Sequence, residues 1–169
     1  MENFLSNNRG RALSLPRWEH LLHLLAAYFF LLLWNGYIYG HGDMIELLPY
    51  SKWLIDSTLY SKDFFIQHIS AQSVNERYIL AYIFSLFEKW MPQAALILHF
   101  VCVLFLLEGL FRLAKIFIRS HGLIWLAILI PFIPLMNWNL GGNEMYIPLI
   151  TSSTVAKVFG VWAIYFSLK

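Results

Sequence analysis

The chain has a single cysteine, Cys102, so no intramolecular disulfide can staple it. Cys102 lies in an apolar run and reads as a small packing residue. Charged residues make up only 13% of the 169, about half the share of an ordinary soluble domain. The basic ones flank apolar runs rather than gathering on one face, which argues against a nucleic-acid partner. There is no glycine-rich phosphate loop, no His-Glu-x-x-His pair, no nucleophile elbow and no Cys-x-x-Cys pair. The usual signatures of nucleotide hydrolysis, zinc proteolysis, serine hydrolysis and dithiol redox chemistry are therefore missing.

What the chain does contain is apolar and aromatic surface. Its hydrophobic fraction is 59%, its aromatic fraction 18% and its mean hydropathy +0.60. A core of this size cannot hide that much apolar surface, so lipid must solvate much of it. The expected class is all-α, a polytopic helical membrane protein. Four runs are long and apolar enough to be candidate spans: 18–39, 93–111, 123–138 and 147–168. The first is too long for the apolar part of a cleavable signal, and no small-residue cleavage pattern follows it. The third is short and broken by Pro131 and Pro134. The fourth carries Thr151, Ser152, Ser153, Thr154 and Lys157 in its first half, which suits contact with protein or a water-filled cavity better than lipid.

Arginine and lysine placement sets the orientation. Arg9, Arg11 and Arg17 precede the first run, Arg112, Lys115 and Arg119 follow the second, and Lys169 follows the fourth. Alternating spans put all seven on one side. Residues 1–17 then form a basic cytoplasmic tail to a single helical domain over 18–169, and the loop 40–91 faces outward. Trp18, Trp34, Trp53, Trp90 and Trp138 fall near the predicted interfaces, as an aromatic belt does. The outward loop is too long for a simple connector. Its stretches 44–57 and 74–90 alternate apolar and charged residues at helical spacing, which predicts two amphipathic helices lying in the interface. Pro49 is expected in the first turn of the first of these, and Pro92 at a break before the second span. Residues 60–65 read as a turn with an aromatic anchor.

The loop opens with His41-Gly42-Asp43, directly past the first span, so a carboxylate stands at the far membrane surface. The stretch Gly42-Asp43-Met44-Ile45-Glu46-Leu47-Leu48-Pro49-Tyr50, continuing through Asp56 to Phe64, and the order of tail, span, acidic loop, surface helices and further spans resemble the N-terminal part of GT-C glycosyltransferases, in particular bacterial branches of that family. The resemblance implies an inner-membrane enzyme that moves a sugar from a polyprenyl-phosphate donor to an outward-facing acceptor. It implies Asp43 as catalytic base or metal contact, with Glu144 of the Gly141–Glu144 turn as a second acidic residue. Members have more spans than this chain, so the resemblance also implies missing C-terminal spans or a further membrane subunit. The competing expectation is a small non-catalytic membrane protein that serves as an assembly partner or scaffold.

Several residues carry the proposed chemistry, each beside a plainer reading. Asp43 would accept a proton from the acceptor hydroxyl, and would hold a divalent cation (Mg or Mn) together with Glu46 and Glu144, because hard cations take carboxylate oxygens. Asp43 equally suits the N-cap of the helix that follows. His41 lies two residues earlier and could share the proton or contact substrate; the alternative is a polar tip at the interface. Glu46 lies one turn past Asp43 and otherwise reads as a rim charge. Arg77 and Lys157 are candidate contacts to the lipid phosphate. The alternatives are headgroup contact for Arg77 and snorkelling for Lys157. Asp56 and Asp63 read as turn or cap residues, Glu108 and Arg112 as an i,i+4 pair, and His20 and His23 as packing residues within a span.

The topology has a direct check. A cysteine placed at residue 43 in a Cys102→Ser background should react with an impermeant thiol reagent from outside the cell; reaction from the cytosol alone would reverse the orientation.

Overall fold

The computed structural model describes residues 16–72, 75, 77–132 and 149–169, and the described residues are helical with no strand among them. The α-helices run in the order α1 (Arg17–Asn35), α2 (Met44–Ile55), α3 (Phe64–Ser70), α4 (Tyr78–Ser85), α5 (Met91–Phe117), α6 (His121–Leu129) and α7 (Ser152–Ser167). Short 3-10 turns, Glu88–Trp90 and Ile130–Phe132, precede α5 and follow α6.

One helical stretch among the described residues, Glu88–Phe117, is long and apolar enough to cross a membrane; it has 30 residues and contains an 18-residue window of mean hydropathy 2.4. Four crossings were expected from the runs, and the other three fall short for local reasons. Helix α1 has 19 residues, but Arg17, Glu19, His20 and His23 occupy its first two turns. Helix α6 has 9 residues and gives way to the 3-10 turn that holds Pro131, because proline cannot donate the helical hydrogen bond. Helix α7 begins at Ser152 and spans 16 residues. The far end of the third run, from residue 133, lies outside the described residues.

Helix α5 is the axis of the molecule, with α1, α6 and α7 against its C-terminal half and α4 against its start. Leu24, Tyr28 and Leu31 of α1 meet Val103, Leu106, Leu107 and Phe111 of α5 and Ile124 and Ile128 of α6 in one core. A second core lies toward the start of α5. There Met44, Leu47 and Tyr50 of α2 pack on Leu80, Ala81 and Phe84 of α4, with Ile66 and Ile69 of α3 and Leu149 and Ile150 completing it.

Of the two amphipathic helices expected over 44–57 and 74–90, α2 covers most of the first, while the second is shorter, α4 over Tyr78–Ser85 and then the 3-10 turn; their apolar stripes pack on each other. Pro49 differs from expectation: α2 begins at Met44, so Pro49 sits inside the helix rather than in its first turn. Pro92 is in the first turn of α5, where its missing N–H is harmless. Helix α3 replaces the expected turn over its last two residues. Asp63 starts it, with Oδ1 accepting the Ile66 N–H at 3.0 Å. Asp56 closes a tighter turn, accepting both the hydroxyl and the backbone N–H of Thr58 at 2.7 and 2.9 Å. The hydroxyl bond first, and the backbone bond second, hold its carboxyl below the usual aspartate range.

Helix α7 lies close against α5 because Gly109 has no side chain. A Cβ at 109 would stand 2.9 Å from Val161 Cγ1 and 3.1 Å from Trp162 Nε1. The same approach lets Trp162 Nε1 donate to the Phe105 carbonyl at 3.1 Å, with the Arg112 guanidinium 5.4 Å from the Trp162 ring centre. Gly160, the residue before Val161 on α7, faces open space.

These two glycines should therefore respond in opposite directions. Gly160→Ala should raise thermal stability by up to about 1 kcal/mol, through helix propensity alone. Gly109→Ala should lower it by about 1 kcal/mol, because overpacking of about 1–3 kcal/mol outweighs the same gain. Thermal unfolding in detergent checks both, and a stabilised Gly109→Ala variant would show that the helices do not meet there.

Candidate functional site

The starts of α2, α4 and α7 converge on a cavity of about 390 Å³. Asp43, Arg77, Thr151, Ser152 and Ser153 form its polar wall, and Leu47 and Ala156 its apolar one. Residues far apart in the chain meet here because α2 packs on α4, while Leu149 and Ile150 tuck into the same core just before α7.

Asp43 is delivered by a glycine turn. Gly42 has φ +54°, in the left-handed region that side chains resist, and it lets the chain reverse so that Asp43 precedes α2. The Asp43 carbonyl accepts the Leu47 N–H at 3.1 Å, the first bond of the helix. Its carboxylate makes no cap hydrogen bond, since its backbone is already helical (φ −58°, ψ −20°), and it joins no ion pair among the described residues. Asp43 thus holds the N-cap position without doing a cap's work, and its side chain is exposed at the cavity.

Arg77 precedes α4 and is held from two sides. Its Nη2 lies 2.8 Å from Glu46 Oε2 on α2, and its guanidinium carbon 5.8 Å from the Phe65 ring centre. The Glu46 contact fixes the arm at the cavity wall. Glu46, expected to assist Asp43 with a metal, is instead this partner. The third side is the α7 N-terminus. Thr151 caps it, Oγ1 accepting the Thr154 N–H at 3.2 Å. The remaining first-turn N–H groups and the Ser152 and Ser153 side chains then sit at the positive end of the helix dipole, where phosphate binds well.

Of the residues expected to act, the structure brings Asp43 and Arg77 to one cavity and places Glu46 behind Arg77. His41 is exposed two residues before Asp43 and is not part of the cavity wall. Lys157 is on α7, one residue past Ala156, and is also not part of the wall. Glu144 lies outside the described residues. Among the described residues no three His, Cys, Asp or Glu side chains cluster to hold a metal ion. Among the described residues Asp43 is the one carboxylate lining the cavity. The hydroxyl cluster at 151–153 was visible in the sequence as an anomaly of the fourth run; its partners were not.

Ser152 and Ala156 also border a second space, an apolar groove of about 790 Å³ between α4, α5 and α7. It passes Leu80, Cys102, Phe105 and Val155 and ends at Trp162 and Phe166, about 21 Å along α7 from Ser152. The polar cavity and the apolar groove therefore lie side by side along α7 and share two lining residues.

The Arg77–Glu46 contact is testable by a double-mutant cycle on thermal stability. Because both groups are partly exposed, a coupling of roughly 0.5 kcal/mol is expected; zero coupling would detach Arg77 from α2.

No protein-family model, no curated protein and no solved structure matches this chain.

Proposed function

We propose that the chain is embedded in a bacterial inner membrane with its N-terminus cytoplasmic, and that the Asp43–Arg77–Ser152 cavity with its apolar groove binds a polyprenyl-phosphate-linked sugar and belongs to a glycosyltransferase. The single observation that carries this reading is that the polar cavity and the apolar groove adjoin, with Ser152 and Ala156 lining both. A polyprenyl phosphate has the same two-part form: one small dianionic or monoanionic head and a long apolar tail. The groove suits the tail, and Arg77 with the α7 N-terminus suits the phosphate.

Transfer then follows from placement. An acceptor hydroxyl attacks the sugar's anomeric carbon as the bond from that carbon to the phosphate oxygen breaks. The leaving polyprenyl phosphate keeps the bond's electron pair, and its charge is met by Arg77 and the α7 dipole. The acceptor's proton passes to the Asp43 carboxylate, whose freedom from cap and ion-pair bonds leaves its oxygens able to take it. A divalent cation bound beside Asp43 would supply further neutralisation of the phosphate. Further spans or a second membrane subunit would complete the acceptor side.

Binding and chemistry separate in one experiment. A photoreactive polyprenyl phosphate should cross-link to groove residues between Val155 and Phe166 in the wild type. Asp43→Asn should preserve that cross-link while lowering glycosyl transfer by about a hundredfold or more. Full transfer by Asp43→Asn removes it as the base. Labelling that bypasses the groove, or a groove filled by a helix of another subunit, favours the scaffold reading instead.

A further inference from the structure

The opposite end of α7 closes a second polar cavity, of about 600 Å³, that the glycosyl-transfer reading does not use. Its wall is cationic. Arg17 opens α1, Arg112 and Lys115 lie on the last turns of α5, and Lys169 follows α7. Glu108 is the one acidic side chain among the described lining residues, and it is already engaged on both oxygens: His20 Nε2 stands 2.5 Å from Oε2, and Arg112 Nε donates to Oε1 at 2.5 Å. Arg17 and Lys115 join no ion pair among the described residues.

A basic flank at the cytoplasmic end of a helix is ordinary, and such charges usually point outward to water. Here they come from three different parts of the chain into one concavity, and Glu108 is spent on His20 and Arg112 at its floor. That pairing occupies Glu108, and among the described residues Arg17 and Lys115 have no ion-pair partner. The size is right for a small headgroup, and the shape presents Arg17 and Lys115 from facing helices.

We propose that this cavity binds a phosphate-bearing anion, supplied either by the headgroup of an anionic lipid or by a soluble phosphate. Arg17 and Lys115 provide the binding charge, and the His20–Glu108–Arg112 ladder provides the rigid floor. The site is about 24 Å along α7 from the Asp43 cavity, so it neither competes with the proposed donor nor depends on the transferase reading.

The full chain in dodecyl maltoside is titrated separately with phosphatidylglycerol, phosphatidylcholine and inorganic phosphate. Lipid retention is read by native mass spectrometry and phosphate binding by calorimetry. Preference for phosphatidylglycerol over phosphatidylcholine, undisturbed by inorganic phosphate, supports the lipid source. Saturable binding of inorganic phosphate supports the soluble source. In either case R17Q/K115Q should weaken binding about fivefold for each charge removed, while Lys52→Gln, on α2 at the other end of the molecule, should leave it unchanged. Equal binding by wild type and R17Q/K115Q overturns the proposal, as does the absence of both phosphatidylglycerol preference and phosphate binding. A measurement on the unaltered chain stands apart from any folding defect: binding must fall steeply between low and high salt, and a salt-insensitive interaction also overturns it.

Discussion

Gly109 allows α7 to lie near enough to α5 for Trp162 to reach the Phe105 carbonyl, and the layout of both polar cavities follows from that approach. Helix α7 carries Ser152 and Ser153 to the Asp43 cavity at one end and Tyr165 and Leu168 to the basic cavity at the other. Its inner face supplies one wall of the apolar groove between them. A shift of α7 along α5 would move all three sites together. The core residues of α5 are already committed to α1 and α6, so α7 has only the Gly109 face on which to settle.

The distribution of exposed apolar surface fits this arrangement. Leu33, Ile79, Phe117 and Phe159 are 87%, 72%, 71% and 71% exposed. Burying a single large apolar side chain is worth about 1.5–3 kcal/mol, so leaving so many in water would be a heavy burden on a chain of 169 residues. The proposed membrane setting would remove that burden, because lipid solvates apolar side chains. The two polar cavities at the ends of α7, with an apolar groove between, match the profile of a bilayer more closely than that of a soluble bundle.

Sequence pattern located the helices well where periodicity was strong and local. Helix α2 begins where the pattern predicted and ends two residues earlier, with Asp56 closing it, and Pro92 marks the start of α5. Glu108 and Arg112 form the i,i+4 pair that spacing suggests. Pattern did worse where a short element or a partner decided the outcome. Helix α3 has 7 residues, too few for a periodic signal, and only the Asp63 cap betrays it. His20 read as a packing residue, yet it bonds Glu108, 88 positions away. Glu46 shares a helix face with Asp43, and spacing alone made them partners; the packing of α2 on α4 gave Glu46 to Arg77 instead.

Composition and periodicity by themselves determined that the described residues are helical, that the stretch between the first two apolar runs holds amphipathic helices and that a carboxylate, Asp43, stands just before the first of them. These are local properties, set by side-chain polarity and backbone freedom within a few turns. Tertiary structure alone decided that Asp43, Arg77 and the hydroxyls at 151–153 share one cavity, that an apolar groove adjoins it, and that Arg17 and Lys115 line one cavity at the opposite end. Each of those depends on which helix faces pack together, and that is settled by shape at contacts such as Gly109 against Val161 and Trp162, not by the order of residues along the chain.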